Sequence, residues 1–193
     1  IESVAESSEE MLDKYFAGET FTNEEILAGL RQGIINGDIA PVICGSAFNG
    51  LGTMDLLRAI INYAPSPNDV RTEKGVDEDG NEVELKYDPN GKTVLFVFKT
   101  IADQYGRFSY FKVMNGNLTP DMTLVNSRTG ASEKMGHIYI VKGKKNIEVD
   151  KIGCGDIGAV SKLTNTSTGD TLCDPGINIK LKGIDFAEPC YSR

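Results

Sequence analysis

The sequence contains no tryptophan, one histidine and four cysteines in 193 residues. Cys44, Cys154, Cys173 and Cys190 form no Cys-x-x-Cys pair, and only His137 accompanies them. Metal ligands usually come in close pairs, so this scatter argues against a zinc site. Four unpaired thiols suit a reducing cytoplasm better than a disulfide-built secreted domain. Cys44 and Cys173 fall within apolar stretches and read as small core residues. Long apolar runs are missing too: none approaches the roughly 20 residues of a membrane-spanning helix. No internal repeat or low-complexity tract is present. The chain opens on Ile1, with no basic-then-apolar leader behind it, so an excised piece of a longer protein is expected.

What charge there is lies unevenly. The net charge is -8, and residues 1–69 alone account for it, with 11 acidic and 3 basic side chains. Residues 93–193 hold 13 basic and 10 acidic side chains, a balance of +3. Global acidity argues against indiscriminate nucleic-acid binding, while the second half keeps enough cations for local phosphate contacts.

Periodicity divides the chain along the same line. Residues 2–17 read as one helix, ended by Gly18. Thr22 and Glu25 form a capping box for a second helix, whose stripe is Ile26, Leu27, Leu30, Ile34 and Ile35. Pro41–Cys44 reads as a short apolar strand. Thr53 then caps a third helix that turns Leu56, Leu57, Ile60, Ile61 and Tyr63 inward, and Pro65 and Pro67 stop it. Strand, loop and helix in this order are α/β elements, and one strand makes no sheet. Residues 1–67 are therefore expected to be the C-terminal remnant of an α/β domain.

Residues 68–92 are polar and turn-rich, with Asp77–Asn81 as a hairpin tip or mobile connector. From Thr93 onwards short apolar or alternating runs are separated by Gly, Asn and Asp, the pattern of a closed antiparallel β-structure. Those runs are 94–98, 106–115, 124–125, 138–141, 157–163 and 171–173. Ile177, Ile179 and Leu181 are expected to close the barrel over residues 93–182. Val94, Phe96, Phe98, Ile157, Val160 and Leu172 are expected in its core. The fold class expected is thus α+β (mixed).

Four stretches then carry a resemblance. Gly155-Asp-Ile-Gly-Ala-Val160 and Thr168-Gly-Asp-Thr-Leu172 resemble the second-domain barrel of the translational GTPases, elongation factor G above all. Gly106–Gly116 resembles that barrel's hairpin arm, and Pro41–Phe48 resembles the last strand and Ser-Ala loop of the nucleotide domain. The motifs follow one another in family order. The resemblance implies the end of a P-loop GTPase domain over 1–67, then a hairpin linker over 68–92. The translation-factor barrel follows over 93–182, and 183–193 begin a further domain. It implies a cytoplasmic, monomeric piece of a protein that hydrolyses GTP with Mg and promotes ribosomal translocation. Ribosomal-protection factors, release factors and translocation-inactive paralogues share the architecture. A non-enzymatic β-barrel interaction module is the reading from another class.

For this piece the resemblance implies no catalysis and no cofactor of its own. A phosphate loop needs Gly-x-x-x-x-Gly-Lys-[Ser/Thr]; Gly91-Lys92-Thr93 has the end of it, but Lys86 replaces the first glycine. Asp77–Gly80 and Asp150–Gly153 match Asp-x-x-Gly downstream of its family position, and both read as turns. Asn-Lys-x-Asp is absent. What remains of a nucleotide site is Gly45, Ser46 and Ala47, the loop that lies under the guanine in the family. Small residues there let backbone approach a planar ring. The family's barrel docks on small-subunit ribosomal RNA, which makes Arg107, beside Tyr105, and Lys142, Lys144 and Lys145 candidates for phosphate contact.

Overall fold

The computed structural model describes residues 1–69, 72–103, 106–188 and 190. It divides into two compact units, Ile1–Arg71 and Thr72–Arg193. Tyr105, expected beside Arg107, and Tyr191, in the stretch expected to open a further domain, lie outside the described residues.

The first unit is helical among its described residues: α1 (Glu2–Ala5), α2 (Glu9–Phe16), α3 (Asn23–Asn36) and α4 (Thr53–Tyr63). The single helix expected over 2–17 is broken, because the Ser8 hydroxyl accepts from the Met11 N–H and starts a new helix. The capping box at Thr22 and Glu25 is present with both of its bonds. Lys14 Nζ lies 2.6 Å from Glu25, and that contact together with the Thr22 bonds lowers the Glu25 carboxyl to about 2. Three expectations fail here. Pro41–Cys44 joins no ladder: only the isolated bridge Ser46–Leu51 follows it, and Cys44 is exposed. A strand needs a neighbour to take its N–H and C=O groups, and none of the described residues of this unit offers one. Thr53 does not cap α4; Gly52 holds that place with φ 76°, and Thr53 is the first helical residue. The α4 stripe does not face inward either, with Leu56, Leu57, Ile60 and Ile61 all exposed, Ile61 to 75%.

The second unit holds two sheets. The larger is antiparallel, in the order β6 (Ser132–Lys134), β5 (Thr123–Asn126), β10 (Thr171–Cys173), β3 (Val94–Asp103), β4 (Gly106–Asn115), β9 (Ile157–Ser161), β7 (Ile138–Lys142), β8 (Lys145–Val149). One core cluster unites Leu124 from β5 with Ile138 from β7, near opposite edges, so the sheet curls around it. Phe111, Leu95, Val97, Val113 and Leu172 fill the middle. Among the described residues no ladder joins β6 to β8, and the curl is a half-barrel. The isolated bridge Leu118–Ile152 lies where Asp150–Gly153 was expected to turn.

The smaller sheet has the order β11 (Lys180–Leu181), β1 (Glu73–Val76), β2 (Glu82–Leu85). Leu181 therefore pairs with Gly75 and does not close the barrel. Instead Leu85, Leu181, Ile177 and Ile179 pack with Val94, Met114, Cys173 and Phe96 in a second cluster. The strand 94–98 is thus covered on both faces, which is why its sequence is almost continuously apolar. Asp77–Gly80, as expected, is the turn of the β1–β2 hairpin.

Two Gly-Asp dipeptides fasten the central hairpin. Gly155 N–H donates to the Val113 carbonyl, while Val113 N–H donates to that of Asp156. Gly169 and Asp170 do the same with Val97. Gly158, in the first of these motifs, is required by packing: a Cβ would come within 2.3 Å of Ile152 and 2.9 Å of Phe111.

The Asp170 side chain carries the second fastening further. Arg128 grips it at 2.6 and 2.8 Å, Asn126 donates at 2.9 Å, and the Ser167 N–H at 2.8 Å. Burial alone pushes this carboxyl up, but these donors together hold it below the ordinary aspartate range. A carboxyl depressed in the folded state contributes stability that is complete above its unfolded pKa of about 3.9. That stability is lost as pH falls through the folded value.

Two outcomes follow for stability. Phe111→Ala should cost about 3–5 kcal/mol, whereas Ile157→Ala, at a position 57% exposed and not in the core as expected, should cost within about 0.5 kcal/mol; urea unfolding followed by circular dichroism measures both. Asp170→Asn should cost about 1–3 kcal/mol at neutral pH. Its unfolding curve should converge on that of the unchanged chain as pH falls below the Asp170 value. A gap that stays constant from neutral to strongly acid pH would mean that the charge of Asp170 contributes nothing.

Candidate functional site

The sequence singles out two places, and the structure puts each on a different kind of support. In the first unit, Gly45, Ser46 and Ala47 form a tight loop ahead of α4. Ser46 N–H donates to the Leu51 carbonyl at 3.0 Å, and the Asn49 N–H reaches the Ser46 hydroxyl at 3.4 Å. The loop closes on itself because Gly45 and Gly52 meet: a Cβ on Gly52 would lie 2.7 Å from the Cys44 carbonyl oxygen. Ile43, Cys44, Gly45, Ala47, Leu51 and Leu56 line a pocket of about 290 Å3 beside it. Thr53 adds a hydroxyl to the wall, which donates to the Gly50 carbonyl at 2.9 Å, and among the lining residues there is no cation to meet a phosphate.

In the second unit, Lys142, Lys144 and Lys145 occupy the tip of the β7–β8 hairpin, and all three are exposed. The strands are joined by Gly143 and Lys144, with Gly143 at φ 62°, so the turn is a two-residue one with glycine first. Lys142 and Lys145 stand directly opposite each other across the ladder. Like charges in that position destabilise a strand pair. None of the ion pairs among the described residues uses any of the three. Ile140 and Ile147, also opposite each other, are exposed just below the tip.

Arg107 lies elsewhere. It is the second residue of β4, next to Phe108, which pairs with Ser161 at the far end of β9. The β7 strand meets β9 at Val160 and Ala159 and then runs the other way, towards the Ile157 end. Arg107 and the lysine tip therefore sit at opposite ends of the sheet, about 20 Å apart by strand rise. Arg107 has a partner already: its guanidinium donates to the Thr166 carbonyl at 2.7 Å. It holds the 164–170 loop, whose Thr164 and Asn165 N–H groups and Thr166 hydroxyl also bond the buried Glu133 carboxylate. Sequence reasoning gave Glu133 no role, since a single acidic residue in a short polar strand carries no signal of burial.

Comparison with known proteins agrees with this architecture. Residues 92–175 match the family described as Elongation factor G domain 2. A crystal structure of a protein from Thermus thermophilus follows the same path with a TM-score of 0.71 and 25% identity, over 90% of this chain and 24% of that one. The chain thus spans about a quarter of the length of the solved protein it matches. The half-barrel and the strands that build it are accordingly similar to the second domain of elongation factor G.

Proposed function

We propose that this chain is a piece of an elongation-factor-G-like translational GTPase. In this reading the first unit is the end of its nucleotide domain, and the half-barrel docks on small-subunit ribosomal RNA. The observation that carries the reading is the match of residues 92–175 to elongation factor G domain 2, joined to a hairpin tip built from unneutralised lysines. A phosphate placed between Lys142 and Lys145 relieves their mutual repulsion, so the tip gains more from a polyanion than isolated lysines would. Such contacts position the protein on RNA and read no sequence. Arg107, at the other end of the sheet, is engaged with the Thr166 carbonyl of the 164–170 loop, and the lysine tip is the contact itself.

The parent would bind GTP with Mg and use its hydrolysis in translocation. This piece contributes the loop Gly45–Ala47 to the guanine and nothing to the phosphates, which supply most of a nucleotide's charge. It is not expected to be an enzyme.

Two measurements test the reading. Sedimentation with purified small subunits at low salt should show weak, salt-sensitive binding of the chain. Replacing Lys142, Lys144 and Lys145 together with Ala should weaken it and flatten the salt dependence by up to roughly one unit of slope per lost phosphate contact. Unaltered affinity and slope would place the contact surface elsewhere. Calorimetric titration with GDP should give no heat of binding at micromolar nucleotide, and a clear micromolar isotherm would overturn the account of the missing phosphate site.

A further inference from the structure

The outer face of the central hairpin carries a feature that the RNA-docking reading does not use. Phe96 on β3 stands opposite Lys112 on β4, and Lys112 stands opposite Ile157 on β9, so the three form one row across three strands. On each side of that row the ladder slips by one residue. Val97 pairs with Phe111 and Lys99 with Tyr110, which leaves Phe98 as an extra residue in β3. Leu95 pairs with Val113 and Val94 with Asn115, which leaves Met114 as an extra residue in β4. Bulges of this kind re-aim a side chain and recur beside functional sites. Here both extra residues line the same cavity.

That cavity, about 320 Å3, lies between this face and the small sheet. Its apolar floor is Phe96, Phe98, Met114, Ile157 and Leu181. Its rim is Lys74, Lys112 and Lys182 with one carboxylate, Glu73. Among the described residues Lys74 and Lys182 have distant, exposed partners, Glu82 at 3.8 Å and Asp185 at 4.0 Å. The Lys112 ammonium lies over the Tyr87 ring, 5.1 Å from its centre, a cation–π contact that holds the charge at the rim. Ile157, a large aliphatic residue on a strand, is left 57% exposed at the edge of this floor.

We propose that this groove is a docking site for an acidic peptide segment that buries one large apolar side chain between the two sheets. The floor is apolar throughout, so what it recognises is hydrophobic surface, and the volume is at the lower end of a small-ligand pocket. Three cations around it attract carboxylates flanking the anchor. Glu73 distinguishes a peptide from a nucleic acid. A carboxylate at the rim accepts a hydrogen bond from a peptide N–H, whereas a phosphodiester backbone offers it no donor. The floor also offers no donor or acceptor to a base edge. This inference concerns a different face from the lysine hairpin and stands independently of ribosome docking.

The probe is a short fluorescent peptide of Asp and Glu around a central Phe-Leu pair, titrated with the 193-residue chain and read by anisotropy. Saturable binding is expected, weakened about fivefold or more when the central pair is replaced by Ala-Ala. Ile157→Lys is the decisive variant, because it adds a positive charge while removing apolar floor. Its position is exposed, and circular dichroism checks that it folds. A peptide site predicts weaker binding of the Phe-Leu probe by Ile157→Lys, and weaker binding again by Lys112→Glu. Tighter binding by Ile157→Lys, or equal binding of the Ala-Ala probe, would reduce the groove to a patch of positive charge. An oligouridine that binds as tightly as the peptide and displaces it would assign the groove to RNA, and no saturable binding would remove the site. Each of these last four outcomes overturns the proposal.

Discussion

The second unit depends on the fastening of one long hairpin, β3–β4, at two points on its inward face. Val97 and Val113 are each held by a Gly-Asp dipeptide that returns from a distant part of the sequence and exchanges two main-chain bonds with it. Each bond is worth about 1 kcal/mol net, so their energy alone does not explain their place in the fold. Their effect is geometric. They bring β9 and β10 onto opposite sides of the hairpin in fixed register, and every inward side chain of the core follows from that register. Asp170 adds its carboxylate to this, tying β10 to Asn126 at the end of β5 and to Arg128 just beyond it.

Much of this arrangement was legible. Turn residues between short apolar runs gave the β-strands of the larger sheet other than β6 and β8, and the Thr22–Glu25 spacing gave the start of α3. What remained hidden has specific causes. The segment 94–98 is apolar on both sides, so alternation did not separate its two faces, and the expectation of Phe96 and Phe98 in the barrel core chose the wrong one. Leu95 and Val97 face the core, while Phe96 and Phe98 face the groove. The covering sheet could not be foreseen, because β11 is two residues long and β1 is Glu-Lys-Gly-Val. Strand β8 is charged and exposed, and only its partner β7 gives it away.

The candidate sites were legible to a lesser degree. A run of lysines on either side of a glycine marks an exposed turn, and that is what Lys142–Lys145 is. That Arg107 belongs to the other end of the sheet depends on the antiparallel path through β9, which no local pattern records. The α4 stripe taught a different lesson. Periodicity identified an amphipathic helix correctly, yet an apolar stripe states only that burial is favourable. It does not supply the surface, and in this unit Ile60 and Ile61 stay in solvent.

Phe98 and Met114 stand apart from every other residue of the hairpin in one respect. Removing Phe98 from the chain would leave Val97 opposite Phe111 and Lys99 opposite Tyr110, with every later pair unchanged. Removing Met114 would leave Leu95 opposite Val113 and Val94 opposite Asn115 in the same way. The backbone has no need of either residue. A shortened hairpin would be straighter, and its ladder would run without a break. The two residues lengthen the chain without extending the sheet, and what they add to the molecule is a bend in the hairpin and the side chains that they bring to its outer face.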